Sequence, residues 1–169
     1  MFSVLNILYT WRLGVRVYLF DWGDTLMVDY PNNAGKMCDW EKVEAVKGAK
    51  ETLAALSEHS QIYIATGAAD STEREVQKAF ERVGLSQFIS GYFCKANLGL
   101  SKGSPEFLQA ILGKLKIPAA HVAMVGDNFD KDIKPALALG IQAYWFTNKK
   151  IDTVPNNVKI INELTSLYR

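Results

Sequence analysis

The sequence is poor in cysteine and histidine, the residue types on which zinc sites and disulfide frameworks depend. Its two cysteines, Cys38 and Cys94, lie far apart and form no CxxC pair, and the 169 residues include only two histidines. This scarcity argues against a zinc site and against a set of disulfide bonds. Because cysteines outside such frameworks are typical of reducing compartments, we expect a cytoplasmic protein.

An excess of charge of either sign is also missing. The formal net charge is +1 and no basic run stands out, so the charge pattern gives no indication of nucleic-acid binding. The hydrophobic fraction of 49% and the charged fraction of 22% are ordinary for a globular domain. Since the sequence has no repeat, linker or low-complexity stretch, we expect one domain with a sizeable core.

The third absence is an apolar stretch that could cross a membrane. Residues 1–15 are apolar, but they are too few to span a bilayer, carry no early positive charge and show no small-residue cleavage site. We therefore predict neither a signal peptide nor a membrane span there. We interpret residues 1–14 as an apolar extension that packs on the domain or as upstream sequence that is not native, and residues 15–169 as the domain.

Short apolar runs alternate with helical patterns along the domain. Near-continuous apolar runs are typical of strands buried on both faces of a parallel sheet, and their alternation with helices predicts a doubly wound α/β sheet. The runs are residues 15–20, 62–65, 122–125 and 141–146, with 92–94 and the start of 158–169 as candidates for shorter strands. The helical patterns cover residues 46–57, 72–83, 105–115 and 132–139.

Polar side chains follow three of the predicted strands at their carboxyl ends, where ligands bind in open parallel sheets. Asp21 and Asp24 follow the first strand, Thr66 the second and Asp127 the third. Two carboxylates ~4 Å apart repel by roughly 4 kcal/mol at an effective dielectric of ~20, so one must take a proton or a cation must bind. Oxygen ligands without a nearby histidine or cysteine favour Mg²⁺.

Two further residues indicate what a cation at this edge would act on. Thr66 offers a hydroxyl beside Gly67, whose backbone can approach an anion, and Lys102 lies just before a predicted helix. A hydroxyl, an ammonium and a metal match the positioning and charge stabilisation that phosphoryl transfer requires. Asp21 is then a candidate nucleophile that would form an aspartyl-phosphate. Lys102 could equally be an ordinary exposed lysine.

Four sequence segments contain these polar residues. They are VYLFDWGDTL at 17–26, IYIATG at 62–67, SKGSPEF around Lys102 and VAMVGDNFDKD at 122–132. In this order they resemble the motifs of the haloacid dehalogenase-like (HAD) hydrolase superfamily. The resemblance implies that Asp21 is the nucleophile, Thr25 the motif threonine, Thr66 the phosphate-binding hydroxyl and Lys102 the motif lysine. It implies a Mg²⁺ site formed by Asp21, Asp127 and the backbone carbonyl of Gly23, with Asp132 close by.

The resemblance also implies a Rossmann-like, three-layer fold with strand order 5-4-1-2-3. About two dozen residues separate Asp21 from the first predicted helix, and thirty-five separate Thr66 from Lys102. Neither gap can hold a full cap domain, so we expect a capless member with an open site. Such a site could be covered by residues 27–40 or by another subunit, which makes a homo-oligomer plausible.

The chain departs from the family pattern at two positions near the site. Gly23 stands at the general acid/base position, two residues after the nucleophile, and Gly103 stands where the lysine is usually followed by proline. General acid/base catalysis is typically worth ~10²–10⁴-fold, so Gly23 predicts weak turnover unless another acid acts. Asp24 is a candidate for that role if the turn differs. Asp132 could also serve only as the acid that complements its helix dipole.

Three functions follow from this pattern. The first is a Mg²⁺-dependent phosphatase or phosphotransferase that forms an aspartyl-phosphate on Asp21 and acts on a phosphorylated small molecule or macromolecule end. The second is a metal- and phosphate-binding module that turns over little because of Gly23. The third is carbon–halogen hydrolysis through an ester of Asp21, which the acidic metal site disfavours.

Overall fold

A computed structural model of the chain describes residues 14–169, which form a single parallel sheet of six strands. The order across the sheet is β3-β2-β1-β4-β5-β6. This confirms the predicted order 5-4-1-2-3 and adds the predicted C-terminal edge strand beside β5. The strands are β1 (Val17–Phe20), β2 (Gln61–Ala65), β3 (Gly91–Phe93), β4 (Val122–Gly126), β5 (Gln142–Phe146) and β6 (Val158–Ile161).

Five α-helices connect the strands, and their ends follow local chemistry. The first begins three residues later than predicted because Gly48, with φ 81°, is left-handed and cannot continue a helix. The second has the predicted capping box, in which Thr72 and Glu75 satisfy each other's backbone N–H groups. The helices are α1 (Ala49–Ser57), α2 (Glu73–Arg82), α3 (Lys95–Leu98), α4 (Pro105–Leu115) and α5 (Lys134–Ala138), with a π-helical turn at Phe129–Ile133 before α5.

The helices cover both faces of the sheet, so the fold has the three layers that the sequence predicts. Successive residues of a strand point to opposite faces. Phe20 packs in one core with Leu53 of α1 and Phe80 of α2, and Leu19 packs in the other with Phe107 of α4. Every residue of β1 and β4 is buried, as expected for the central strands of a parallel sheet.

The segment between β1 and α1 has little regular structure of its own. Residues 28–47, which we call the docked loop, contain a 3₁₀ turn at Met37–Asp39 and an isolated bridge from Ala45 to Met27. Side chains of α2 hold this loop against the domain. Arg82 donates to the carbonyls of Cys38 and Trp40 at 3.1 and 2.6 Å. No full cap domain occurs within residues 14–169, as predicted.

Two predictions concern the N-terminal region and membranes. The predicted extension at residues 1–14 lies outside the described residues except for Gly14. Across residues 14–169, the helices are all too short or too polar to cross a bilayer.

Candidate active site

Asp21 and Asp127 lie side by side because they follow neighbouring parallel strands. Phe20 of β1 pairs with Val125 of β4, and the Asp21 N–H continues this ladder by donating to the Val125 carbonyl at 2.9 Å. The fully buried Thr25 hydroxyl lies 3.3 Å from Asp21 Oδ2 and 3.3 Å from Asp127 Oδ1. Thr25 therefore links the two carboxylates, although its single proton can be donated to only one of them at a time.

Asp132 reaches the same place from the π-helical turn after β4. Its N–H donates to the Asn128 carbonyl at 2.9 Å, and the Asn128 N–H donates to Asp132 Oδ2 at 3.0 Å. A side chain at Gly126 would exclude this carboxylate, because a Cβ there would lie 2.2 Å from Asp132 Oδ2. Glycine at position 126 is thus a condition for Asp132 to join the site.

Lys102 joins these acids from the loop before α4. Its Nζ lies 2.5 Å from Asp21 Oδ1 and 2.6 Å from Asp132 Oδ1, and its side chain is 3% exposed. Burial lowers the pKa of Lys102, but the two carboxylates outweigh burial and raise the pKa above its ordinary value. The ammonium is therefore charged and fixed beside Asp21.

Three carboxylates lie together here, and the Lys102 ammonium contacts two of them, Asp21 and Asp132. Asp21, Asp127 and Asp132, which we call the carboxylate cluster, each place a ligand oxygen within 4.8 Å of the others. Burial raises the pKa of Asp127 to about 7, and the carboxylates of Asp21 and Asp132 act in the same direction. Burial also raises the pKa of Asp132 to about 6, although the Lys102 ammonium opposes it.

The cluster fits a magnesium ion. Its oxygen donors are of the type that Mg²⁺ prefers, and it lacks a histidine or cysteine that would select another metal. Asp132 Oδ1 is buried and, although close to the Lys102 ammonium, has no hydrogen bond of suitable angle. A divalent cation would satisfy that oxygen and offset the repulsion among the carboxylates, which adds to the effect of burial on the pKa of Asp127.

Thr66 and Gly67 follow β2 at the carboxyl edge of the sheet, and Gly67 lies beside Lys102. The Thr66 N–H donates to the Phe93 carbonyl at 2.9 Å, and its hydroxyl accepts from the Ala68 N–H at 3.1 Å. This leaves the hydroxyl proton available to an anion. A Cβ on Gly67 would lie 3.6 Å from Lys102 Cβ, so the lysine stem runs along this backbone. A hydroxyl and an ammonium thus lie at the same edge as the carboxylates.

A sequence model of the haloacid dehalogenase-like hydrolase family matches residues 21–140. The matched span includes the whole carboxylate cluster together with Thr66 and Lys102. The chain belongs to the haloacid dehalogenase-like hydrolase family. The predicted resemblance to this superfamily is therefore confirmed.

Two curated relatives of this HAD-like hydrolase are phosphatases by name. It is 30% identical over 106 residues to a ribulose-1,5-bisphosphate 5-phosphatase of Halopiger xanaduensis, a match that covers 63% of this chain and 44% of that protein. It is 37% identical over 60 residues to a glyceraldehyde 3-phosphate phosphatase of Methanocaldococcus jannaschii, covering 36% and 26%. The chain spans less than half the length of either relative.

A solved structure of similar size shares the fold. A protein from Listeria monocytogenes serotype 4b superposes with a TM-score of 0.77 at 21% identity, over 90% of this chain and 94% of that one. At this level of identity the likeness concerns the fold alone.

The HAD-like site does not bring Asp24 into the cluster. Asp24 is exposed and left-handed, with φ 57°, and its Oδ1 accepts the Asp29 N–H at 2.9 Å. It therefore holds the turn that leads from the nucleophile position into the docked loop. A catalytic role for Asp24 stays a prediction. Gly103, with φ 118°, explains the other departure, because proline cannot adopt that conformation.

Three residues at the site were not predicted as functional. Gly126 makes room for Asp132, Asn128 binds the Asp132 carboxylate, and the Trp145 indole donates to the Asp127 carbonyl at 3.0 Å. In the sequence, the glycine of the Gly126-Asp127 pair at the end of an apolar run is a signal that another group approaches the backbone closely there. Trp145 comes from β5, and no local pattern indicates its partner.

Proposed function

We propose that this HAD-like hydrolase is a Mg²⁺-dependent phosphatase that cleaves phosphate monoesters through an aspartyl-phosphate on Asp21. The observation that carries the proposal is the buried ion pair between Asp21 Oδ1 and Lys102 Nζ at 2.5 Å, next to two more carboxylates that fit a cation. The two relatives named as phosphatases of sugar phosphates support the same chemistry.

The chain's own residues supply the groups that the reaction needs. A carboxylate oxygen of Asp21 attacks phosphorus while the bond to the ester oxygen breaks, and water later displaces phosphate from Asp21. In this proposal the Lys102 ammonium and the Thr66 hydroxyl neutralise the phosphoryl oxygens, and the Gly67 backbone lies beside Lys102. Bound Mg²⁺, held by the carboxylate cluster, would supply the positive charge that offsets repulsion between carboxylate and phosphate.

Phosphate release from p-nitrophenyl phosphate tests this proposal. We expect release that requires Mg²⁺, that stops with EDTA and that falls below detection in Asp21→Asn, an isosteric change that removes the nucleophile. Asp152→Asn is the matched control, because Asp152 is exposed and belongs to no part of the site. Full activity in the Asp21→Asn variant would refute the assignment.

Gly23 favours a second candidate, a metal- and phosphate-binding module with little turnover. With no side chain at this position, the site has no acid there to protonate a leaving group. Such a module would bind Mg²⁺ together with beryllofluoride but release no phosphate from any ester. Measurable turnover that depends on Asp21 would eliminate this candidate.

A further inference from the structure

The space beside Gly23 holds a carboxyl group from another part of the chain. A Cβ on Gly23 would lie 3.4 Å from both Cβ and Oδ2 of Asp29 and 3.6 Å from its Cγ. The Asp29 side chain therefore lies on the side of Gly23 from which a side chain at position 23 would project. Asp29 is also exposed, so its carboxyl group can meet a substrate.

The backbone fixes Asp29 in this position. Its N–H donates to Asp24 Oδ1 at 2.9 Å, and the preceding Val28 N–H donates to the Glu44 carbonyl at 2.9 Å. The chain turns back at Asp24, which is left-handed with φ 57°, and Asp29 then lies beside Gly23. Asp29 thus lies at the anchored end of the docked loop.

Proton transfer is the one task of the proposed reaction that no group in the cluster is free to perform. Asp21 is the nucleophile, Asp127 and Asp132 fit the cation, and Lys102 is held by two carboxylates. An alkoxide leaving group needs a proton, and a positioned carboxyl group is a common donor. Asp29 is a carboxyl group outside the cluster whose Oδ2 lies 3.4 Å from the place that a Cβ would take two residues after the nucleophile.

We propose that Asp29 is the general acid and base of this hydrolase, a role that rests on the proposed function. As the Asp21–phosphorus bond forms and the phosphorus–oxygen ester bond breaks, the Asp29 carboxyl group gives its proton to the departing oxygen, and an alcohol leaves. The Asp29 carboxylate then takes a proton from a water molecule whose oxygen attacks phosphorus. The Asp21–phosphate bond breaks, phosphate leaves, and both carboxyl groups return to their starting states.

Two esters separate this role from a structural one in an Asp29→Asn variant. Dinitrophenolate leaves without a proton, so a dinitrophenyl phosphate should still give a rapid burst of about one equivalent per site. Turnover after the burst should fall by ~10²–10⁴-fold, because water attack has lost its base. With glycerol phosphate, which needs both proton transfers, neither burst nor turnover should remain. The Asp152→Asn control should match the wild type on both esters.

Other results would overturn the role of Asp29. Turnover at the wild-type rate on glycerol phosphate would show that Asp29 transfers no proton. Loss of the burst, in a variant with wild-type thermal unfolding, would show that Asp29 only positions other groups. Failure of the proposed function is a distinct outcome: either the wild type itself would give no burst and no turnover, or its burst would persist in Asp21→Asn.

A positional swap provides a second test. Gly23→Asp alone would add a second carboxyl group in contact with Asp29, whose Oδ2 lies 3.4 Å from the new Cβ, and should not raise turnover. The double variant Gly23→Asp with Asp29→Ala moves the carboxyl group from position 29 to position 23, which lies beside it in space. It should restore much of the turnover that Asp29→Ala alone loses. No recovery in a folded double variant, or a gain from Gly23→Asp alone, would contradict the proposal.

Discussion

The carboxylate cluster and the docked loop lie next to each other, and different forces hold them in place. Asp132 of the cluster and its partner Lys102 are buried, with side-chain exposures of 1% and 3%, and Asp21 is 15% exposed. The docked loop is held by exposed pairs such as Lys78–Asp39, whose side chains are 56% and 64% exposed. Charges removed from water interact strongly and are costly to leave unpaired, whereas exposed pairs are screened. The cluster should therefore respond far more strongly to substitution than the loop.

The largest effect should come from removing the Lys102 ammonium, which contacts the carboxylate cluster. Lys102→Met leaves Asp21 and Asp132 without their cation and should lower the free energy of unfolding in EDTA by about 3–5 kcal/mol. Lys78→Met is the matched change at the loop and should leave stability near the wild-type value. Urea unfolding of the two variants measures the difference. Equal losses of unfolding free energy in Lys102→Met and Lys78→Met would contradict the difference between the two regions.

A methyl group at Gly126 should come next. Gly126→Ala places a Cβ 2.2 Å from Asp132 Oδ2, so the carboxylate must move. We expect a loss of about 1–3 kcal/mol in stability, as for other overpacked sites, together with weaker Mg²⁺ binding by calorimetry. Gly113→Ala is the control, because a Cβ there meets nothing within 4 Å in the last turn of α4. That variant should be at least as stable as the wild type.

What the sequence predicts also differs between the two regions. Asp21 and Asp127 follow apolar runs, and the carboxyl ends of parallel strands meet at one edge, so their proximity follows from pattern alone. The position of Asp29 depends on a left-handed aspartate and on a bond from Val28 to Glu44, sixteen residues away. Arg82 likewise binds carbonyls more than forty residues back along the chain. Such contacts have no local period, so sequence patterns could not predict them.

A rise in pH should change the contributions of the two regions to stability in opposite directions. The raised pKa values of Asp127, about 7, and Asp132, about 6, mean that the cluster contributes most below the unfolded value near 3.8. Its contribution declines as the pH rises above 3.8 and is lost once the pH passes about 7. In EDTA, thermal stability should therefore fall across that range, and Mg²⁺ should suppress the fall because it favours the ionised carboxylates. An identical fall with and without Mg²⁺ would contradict a cation site.

The contribution of the docked loop to stability should instead be lost when the pH falls. The hydrogen bond from Lys36 lowers the pKa of Glu75 to about 2, and the Thr72 N–H adds to it. This contribution is present above the unfolded value near 4.5 and is lost as pH falls toward 2. The difference in stability between the wild type and Lys36→Met should shrink as pH falls through this range. A constant difference would mean that the pair does not hold the loop.

A smaller effect than at Lys102 or Gly126 should come from loosening the loop alone. Arg82→Gln shortens the side chain that donates to the Cys38 and Trp40 carbonyls. We expect a loss of about 1 kcal/mol and faster hydrogen exchange of amides in residues 28–47. Mg²⁺ affinity should stay at the wild-type value, because the cluster does not depend on Arg82. A parallel loss of Mg²⁺ affinity would show that the two regions are coupled.

The covalent state of Asp21 during turnover tests the central claim most directly. Enzyme mixed with Mg²⁺ and a dinitrophenyl phosphate can be quenched in acid within milliseconds and its peptides analysed by mass spectrometry. We predict one added phosphoryl group on the peptide that contains Asp21, at Asp21 itself, and more of it in Asp29→Asn. Steady phosphate release with Asp21 unmodified in both proteins would contradict the account.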